Sequence, residues 1–254
     1  MSGSLAVVGL GPGGPDTLTP EAAAALGCAD VLYGYGPYLD RVPERPGQLR
    51  HRSDNREEDT RATAALRHAA AGASVALVSG GDPGVFAMAA AVCEQIETGG
   101  ETWRSLNIAI IPGVTAMLAV AARVGAPLGH DFCAISLSDN LKSWSIIERR
   151  LDAAANGGFV TALYNPISRA RPWQLGATFE RLRRHLPGST PTVFGRAIGR
   201  PGEQVFVTSL AAADPSIADM ATLIIVGSLA TRVVERPGMT PLVYTPRSMP
   251  DIST

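Results

Sequence analysis

The segment best suited to ligand chemistry is Ser79-Gly80-Gly81-Asp82-Pro83, which directly follows the apolar run Val75 to Val78. Glycine lets main-chain N–H and C=O groups approach a bound molecule without an intervening Cβ, and Pro83 fixes the chain ahead of a helix expected near Val85. If the apolar run is a parallel strand, Asp82 lies at its carboxyl end, where open α/β sheets bind ligands. An ordinary strand-to-helix turn is the alternative interpretation of the same residues.

A second glycine cluster, from Gly9 to Gly14, matches the dinucleotide pattern G-x-G-x-x-G letter for letter. A dinucleotide loop must open straight into a helix whose free N–H groups face the pyrophosphate. Here Pro12 and Pro15 remove N–H donors and delay the predicted helix to about Thr19. The acid that such folds carry after the second strand is also missing, because Gly34 follows that strand. The cluster therefore disfavours a nicotinamide oxidoreductase.

Short β-like runs alternate with alanine-rich helical stretches, a pattern typical of α/β units with largely parallel sheets. The predicted strands are Leu5 to Val8, Val31 to Tyr33, Val75 to Ser79, Ile108 to Ile111, Phe132 to Ser136, Phe159 to Leu163, Thr192 to Phe194, Val205 to Thr208 and Leu223 to Val226. The predicted helices are Pro20 to Leu26 with Thr19 as N-cap, Asp59 to Ala71, Val85 to Glu97, Ser145 to Ala155 and Trp173 to His185. Pro112-Gly113 separates two α/β domains, residues 1–112 and 113–254, and we expect the active site in the cleft between them.

The composition of the chain excludes several classes of protein. A chain of 254 residues, 46% of them hydrophobic, can form one large or two medium domains. A formal net charge of −1 predicts no affinity for nucleic acid or for an anionic membrane, and no apolar run reaches the roughly 18 residues of a membrane span. The three cysteines lack metal-ligand spacing, which predicts reduced thiols, no metal site and a cytoplasmic location. Lys142 is the only lysine among 22 basic residues; this arginine bias suits a polyanionic small ligand, although a GC-rich genome produces the same bias.

Three segments carry a family resemblance by their order and spacing: Gly9-Leu10-Gly11-Pro12-Gly13, Ser79-Gly80-Gly81-Asp82-Pro83 and Ile111-Pro112-Gly113-Val114-Thr115-Ala116. With them, the chain resembles the tetrapyrrole methylases, which use S-adenosylmethionine to methylate uroporphyrinogen and the precorrins. The likeness covers nearly the whole chain and extends into Leu163-Tyr164-Asn165-Pro166 and the segment Thr222 to Gly227. The segments that favour the branch acting on a precorrin with ring contraction are Tyr33 to Tyr38, Tyr164 to Arg171 and Val193 to Arg200.

The resemblance implies S-adenosylmethionine as cofactor and assigns ten residues to its site. They are Gly80, Gly81, Asp82, Val85, Thr115, Ala116, Tyr164, Asn165, Ile198 and Thr222. The Asp82 carboxylate can accept hydrogen bonds from the ammonium group or the ribose hydroxyls. Thr115 and Ala116 lie at a predicted helix N-terminus, whose free N–H groups suit a carboxylate or adenine nitrogens. For Tyr164 and Asn165, a strand end that turns at the next residue is the alternative interpretation.

The resemblance also implies a tetrapyrrole substrate that carries many acetate and propionate groups. It places Gly11, Pro12 and Gly13 at the floor of the substrate trough, which agrees with a proline-bearing loop that cannot cradle phosphate. Arginines beside the motifs are the candidates for binding the substrate carboxylates. They are Arg169, Arg171, Arg196 and Arg200. Because relatives are homodimers, we expect a homodimer.

Methyl transfer to an electron-rich carbon depends on orientation and exclusion of water more than on a strong base. The implied ring contraction does need proton transfers, and the candidate acid/base groups are Asp16, His130 and Asp139. Each of the three also fits a role as a turn, cap or surface residue. Four alternatives stay open: a cobalt-bearing substrate, methylation at another ring carbon, an NAD(P)-binding oxidoreductase, and a non-catalytic tetrapyrrole carrier.

One segment departs from the family pattern. The chain reads Leu141-Lys142-Ser143-Trp144-Ser145 where relatives usually carry a proline and an acidic or hydroxyl residue around the tryptophan. We expect Ser145 to cap the helix that follows, so that the departure changes the stiffness of the loop rather than the chemistry.

Overall fold

The computed structural model describes residues 3–54 and 57–248. The chain forms two compact units, Met1–Thr115 and Ala116–Thr254, and each contains a five-stranded sheet within the described residues. The division therefore falls after Thr115, three residues beyond the boundary expected at residue 112. In the described ranges, no helix combines the length and the apolar character that crossing a membrane requires.

The first unit is an α/β unit with helices between its strands. Its elements are β1 (Ser4–Gly9), a 3-10 turn (Pro15–Thr17), α1 (Pro20–Cys28), β2 (Val31–Tyr35), α2 (Gly36–Leu39), β3 (Leu49–Ser53), α3 (Glu58–Ala70), β4 (Ser74–Ser79), α4 (Met88–Thr98), α5 (Glu101–Arg104) and β5 (Asn107–Ile111). The sheet is parallel throughout, in the order β3-β2-β4-β1-β5. The four strands predicted for this half are confirmed to within two residues.

Apolar side chains on both faces hold the first sheet in place. Leu5 and Leu77 belong to a buried cluster with α3 and α4, whereas Val8 and Val78 belong to a second cluster with α1 and α2. A parallel sheet covered on both faces reads as continuous apolar runs, which explains why these strands were predicted from sequence. Helix α1 begins as expected, because Thr19 Oγ1 accepts a hydrogen bond of 3.1 Å from the backbone N–H of Ala22.

One expectation for the first unit is wrong, and one of its strands was missed. Helix α4 begins at Met88 rather than near Val85, because the backbone turns over residues 83–87 and Phe86 has a positive φ of 51°. The edge strand β3 was not predicted, because its sequence, Leu49-Arg50-His51-Arg52-Ser53, is polar and mostly exposed. A polar edge strand carries no apolar alternation by which it could be recognised.

The second unit contains a mixed sheet. Its elements are α6 (Ala116–Val124), β6 (Gly125–Ala126), β7 (Phe132–Ser136), α7 (Trp144–Asn156), β8 (Val160–Tyr164), α8 (Gln174–Leu182), β9 (Pro191–Arg196), β10 (Gln204–Ser209), a 3-10 turn (Pro215–Ile217), β11 (Thr222–Val226), β12 (Arg232–Val234) and β13 (Leu242–Tyr244). The main sheet has the order β10-β9-β11-β8-β7, and among the described residues a smaller sheet joins β12, β13 and β6. The expectation of largely parallel pairing is wrong for the main sheet. There β7 and β8 are parallel, but β11 runs antiparallel to β8 and β9, and β10 runs antiparallel to β9.

The start of α7 corrects the expectation for Ser145. The helix begins at Trp144, so that Ser143 occupies the N-cap position and Ser145 is already inside the first turn. Neither serine caps a backbone N–H; their hydroxyl oxygens lie 2.9 Å apart and share a hydrogen bond. The helix is instead anchored by Ile147 and Leu151, which are fully buried in the core of this unit.

Candidate functional site

The three glycine-bearing segments meet at the carboxyl edge of the first sheet. They follow β1, β4 and β5, and these strands are neighbours in the sheet order. Because β4-β1-β5 are parallel, their carboxyl ends lie side by side, which is where open α/β sheets hold ligands. The sheet order therefore joins motifs that are up to about 100 residues apart in the chain.

The three segments are in backbone contact. A Cβ built on Gly113 would lie 2.3 Å from the carbonyl oxygen of Gly81, and one on Gly9 would lie 2.6 Å from the Gly113 nitrogen. A Cβ on Gly80 would lie 2.6 Å from Cζ of Tyr38. Glycine is thus required at Gly9, Gly80 and Gly113 by close packing. Gly81 is required for a different reason, its positive φ of 67°.

The Asp82 carboxylate organises this edge of the sheet. Its Oδ1 accepts a hydrogen bond of 2.8 Å from the backbone N–H of Gly84, and its Oδ2 accepts one of 3.1 Å from that of Gly113. One carboxylate therefore shapes its own turn and ties the second glycine segment to the third. Each oxygen keeps a further lone pair that can accept from a ligand. Val85 lies half-buried in the turn that follows.

The first glycine loop is paired with the second. Gly11 has a positive φ of 67° and forms an antiparallel bridge with Gly81, through hydrogen bonds of 3.1 and 2.9 Å. Pro12 is half-buried and Gly13 is buried beside it. No helix follows directly, since α1 begins only at Pro20, and so the loop lacks the helix N-terminus on which a dinucleotide pyrophosphate would bind.

In the second unit, four strand ends share one edge of the main sheet. Strand β11 lies between β8 and β9 and runs antiparallel to both, while β7 is parallel to β8. The carboxyl ends of β7, β8 and β9 therefore lie beside the start of β11. These ends carry Ser136, Tyr164, Arg196 and Thr222.

Tyr164 and Asn165 are held by specific hydrogen bonds at this edge. The Tyr164 hydroxyl accepts a hydrogen bond of 3.1 Å from the backbone N–H of Met117, in the first turn of α6, which begins at Ala116. Asn165 has a positive φ of 52°, which asparagine tolerates better than most residues. Its side-chain amide donates to Ser136 Oγ at 3.0 Å. Thr115, directly before the helix, is buried.

The candidate arginines fall into two groups. Arg171 is only 7% exposed and donates to the Asn165 carbonyl at 2.8 Å, and burial lowers the pKa of its guanidinium below the ordinary value. Arg196 donates from Nε to the carboxylate of Asp219 at 2.8 Å. Both therefore have partners within the protein. Arg169 and Arg200 are exposed and could reach a substrate carboxylate.

Thr222 and Ile198 are both buried, at 5% exposure each. The Thr222 hydroxyl donates to Asp219 Oδ1 at 2.9 Å, so that the same carboxylate holds Thr222 and Arg196. Ile198 follows Ala197, whose φ is a positive 50°. This loop is closed by Glu203, whose carboxylate accepts the backbone N–H of Gly199 at 2.6 Å.

The three acid/base candidates lie in different segments of the two units. Asp16 is exposed in the 3-10 turn of the first unit. His130 lies two residues before β7, beyond the end of that strand opposite Ser136, and the five-residue strand alone spans roughly 13 Å. Asp139 lies beyond the carboxyl end of β7, and its carboxylate accepts a hydrogen bond of 3.1 Å from Gln174. Among the described residues, no group of three or more His, Cys, Asp and Glu side chains could hold a metal ion.

Comparison with known proteins identifies the family. A family model described as Tetrapyrrole (Corrin/Porphyrin) Methylases matches residues 4–214. The chain belongs to the tetrapyrrole methylase family. The predicted resemblance is thus confirmed, and the loops described above are the glycine segments of a tetrapyrrole methylase.

Three relatives resemble this methylase over nearly the whole length of both chains. A precorrin-3B C(17)-methyltransferase of Sinorhizobium sp is 64% identical over 247 residues, which are 97% of this chain and 97% of that protein. The crystal structure of the methyltransferase CobJ matches with a TM-score of 0.91 at 50% identity, over 96% of this chain and 100% of that chain. A probable cobalt-factor III C(17)-methyltransferase of Salmonella typhimurium is 38% identical over 242 residues, 95% of this chain and 99% of that protein.

Three residues that support the methylase motifs were missed from sequence. Ser136 binds the Asn165 amide, Asp219 binds Thr222, and Arg41 donates to three backbone carbonyls of the first glycine loop. A polar residue at the end of a predicted strand was a usable signal for Ser136. Arg41 gave no such signal, because its partners lie about 30 residues away in the chain and were brought near by the fold.

Proposed function

We propose that this methylase transfers a methyl group from S-adenosylmethionine to C-17 of precorrin-3B and contracts the ring to give precorrin-4, a step of cobalamin biosynthesis. The observation that carries the proposal is the 64% identity to a precorrin-3B C(17)-methyltransferase along 97% of both chains. The geometry supports it, because the glycine segments form one hydrogen-bonded group at the ligand-binding edge of a parallel sheet.

The residues present fit S-adenosylmethionine, which supplies the methyl group when bound. A Cβ built on Gly81 meets no atom closer than 3.9 Å outside its own neighbours, so the space beside this backbone is open to a ligand. In the first unit we assign Gly80, Gly81, Asp82, Val85 and Thr115 to the cofactor. In the second unit we assign Ala116, Tyr164, Asn165, Ile198 and Thr222. The backbone N–H and C=O groups of these sets, the Asp82 carboxylate and the neutral side-chain oxygens of Thr115, Tyr164, Asn165 and Thr222 match a ligand that carries an ammonium, a carboxylate and hydroxyls.

For the tetrapyrrole we assign the loop of Gly11, Pro12 and Gly13 to the floor of the substrate site. Arg169 and Arg200 are the better candidates for binding its carboxylates, because their side chains are exposed. Arg171 and Arg196 already have protein partners, and for them we propose a role in shaping the loops that contain Asn165 and Thr222. 

A cobalt-bearing substrate is the second candidate. It is supported by the 38% identity to a probable cobalt-factor III C(17)-methyltransferase. The higher identity to the enzyme named for precorrin-3B favours the metal-free substrate. We also propose that the protein is a cytoplasmic homodimer; sedimentation equilibrium of the purified protein tests the dimer, and cell fractionation tests the location.

The decisive experiment is mass spectrometry of the pigment after the pure protein meets methyl-labelled S-adenosylmethionine and metal-free precorrin-3B without air. We expect a gain of one labelled methyl and a fragment consistent with an expelled acetyl group. A parallel reaction with cobalt-factor III tests the second candidate. Labelling of the cobalt compound alone would replace the metal-free proposal. Pigment binding with no affinity for S-adenosylhomocysteine would indicate a carrier, and tight binding of NAD(P) would indicate an oxidoreductase.

A further inference from the structure

Arg41 lies outside every motif, yet its side chain is hydrogen-bonded to three carbonyl oxygens of the first glycine loop. Its Nη2 shares its two N–H groups among the carbonyl oxygens of Leu10, Gly11 and Gly13, which lie 2.8, 2.9 and 2.7 Å away. These are short distances for N–H···O bonds, as expected when the donor carries a positive charge. One guanidinium thus gathers three backbone oxygens of the same loop.

The loop needs such a cation for a physical reason. Three carbonyl dipoles that point at one position repel each other unless a positive group lies between them. The Gly11 oxygen also accepts the backbone N–H of Gly81 at 2.9 Å, and Pro12 has no N–H to offer to the oxygens of Leu10 and Gly13. No α-helix begins directly after the loop, because α1 starts only at Pro20.

Arg41 follows α2 by two residues and its side chain is not required to cap that helix. The α2 carbonyls of Gly36, Tyr38 and Leu39 accept backbone N–H groups, and Arg50 donates to Leu39 as well as to Val42 and Pro43 beyond the helix. A role in local helix capping therefore does not explain why the Arg41 side chain extends to a loop about 30 residues earlier in the chain. The three oxygens to which its Nη2 donates all belong to the loop that the preceding section assigns to the substrate.

The position of the first glycine loop in turn constrains the second glycine segment, because the two are hydrogen-bonded to each other. Gly11 and Gly81 exchange two backbone hydrogen bonds, and Gly81 has backbone contact with Gly113. We propose that Arg41 is a positioning residue for both loops: it sets the carbonyls of the first loop directly and, through the Gly11–Gly81 bridge, the position of the segment from Gly80 to Asp82. The functional consequence, altered cofactor affinity, rests on the proposed function.

The test replaces Arg41 by methionine, which keeps the length of the apolar stem and removes the charge and donors. The matched control is Arg183→Met, since Arg183 donates to the carbonyls of Leu210, Ala211 and Ala213 in the second unit and contacts no motif. Two quantities are measured for each: S-adenosylhomocysteine affinity by calorimetry, and hydrogen exchange of the Gly11 and Gly81 amides. We expect Arg41→Met to weaken affinity and to accelerate both amides by about tenfold or more.

Two further results distinguish positioning from loss of stability. Exchange of the amides within β1 and β4 should be the same in Arg41→Met and the wild type, and Arg183→Met should leave Gly81 exchange and cofactor affinity unchanged. In Arg41→Ala, added guanidinium ion at millimolar concentration should restore part of the affinity. If Arg41→Met does not fold, Arg41→Gln, which is too short to reach all three carbonyls, is measured instead.

The inference is overturned if the Arg41 variant keeps the wild-type hydrogen-exchange rate at the Gly81 amide and the wild-type affinity for S-adenosylhomocysteine. Failure of the proposed function gives a different result, because the wild-type protein itself would then not bind S-adenosylhomocysteine. The exchange measurement needs no cofactor and decides the structural part of the inference in either case.

Discussion

Asp82 and Gly113 are joined by a hydrogen bond of 3.1 Å, in which the backbone N–H of Gly113 donates to Asp82 Oδ2. The two residues are 31 positions apart and belong to different glycine segments. The sequence indicated Asp82 only as a ligand contact, but this carboxylate also holds two loops of the site together. Its removal has structural and functional consequences that can be separated by experiment.

Replacing Asp82 by alanine should weaken S-adenosylhomocysteine binding by about tenfold or more and lower the free energy of unfolding by about 2 kcal/mol. The reason is that two backbone N–H groups lose a charged acceptor. Asp214→Ala is the matched control, because Asp214 accepts the backbone N–H of Ser216 in a similar turn at 2.8 Å, within the second unit. Calorimetry should show weaker binding for Asp82→Ala only; equal affinity in both variants would remove Asp82 from the site.

Gly113→Ala should disrupt the contact between the glycine segments. The new Cβ would lie 2.3 Å from the Gly81 carbonyl oxygen, so that one backbone segment must move. We expect the free energy of unfolding to fall by about 2 to 3 kcal/mol, with loss of cofactor binding. Gly27→Ala in α1, where a Cβ meets nothing within 4 Å, should raise stability by up to about 1 kcal/mol. Chemical denaturation of both variants checks this, and a fully stable Gly113→Ala would contradict the observed packing.

Tyr164→Phe should reduce cofactor affinity several-fold. The change removes the hydroxyl that accepts the N–H of Met117 and leaves this donor in the first turn of α6 without that partner. A hydrogen bond of this kind contributes about 1 kcal/mol. Tyr244→Phe, in β13 of the smaller sheet, serves as the control. Affinity measured by calorimetry should change in the first variant only; an equal change in both would indicate a general effect of removing a phenol.

Glu203 should make stability depend on pH in the acid range. A hydrogen bond from Arg123 and one from the backbone N–H of Gly199 hold the pKa of this carboxyl below its ordinary 4.5. Because the unfolded chain then binds the proton more readily, the stabilisation is complete above 4.5 and is lost as the pH falls through the lower pKa of the folded state. Glu203→Gln should flatten the part of the unfolding profile that lies below about pH 4.5. A wild-type slope in that variant would assign the dependence to other carboxylates.

The parallel half of the fold was predictable and the mixed half was not. In the first unit, strands buried on both faces read as continuous apolar runs, and Thr19-Pro20 marks the start of α1. In the second unit, the positions of β7, β8, β9 and β11 were predicted but the direction of β11 was not. Direction depends on which strands pair, and pairing is set by contacts between segments far apart in the chain.

The residues of the site divide in the same way: those within motifs were recognisable from the sequence, and those that hold the motifs in place were not. Glycine was recognisable at Gly9 and Gly113, where close backbone approach requires it, and at Gly81, where a positive φ requires it, because the family motifs contain it. Arg41 and Asp219 were not recognisable, because an arginine or aspartate in a surface-like sequence context has no local signature. Arg171 was assigned to the substrate from its place beside a motif, yet its side chain is buried against the Asn165 carbonyl.

The amino-acid sequence by itself determined the α/β class, the position of nearly every central strand, the glycine segments and the family to which they belong. These properties are encoded locally, in apolar runs, glycine and proline placement and motif order. Only the tertiary structure decided that Gly11 pairs with Gly81, that Asp82 binds Gly113 and that Arg41 gathers the carbonyls of the first loop. Such contacts depend on the sheet order β4-β1-β5, which brings distant strand ends together and which no single segment of the chain specifies.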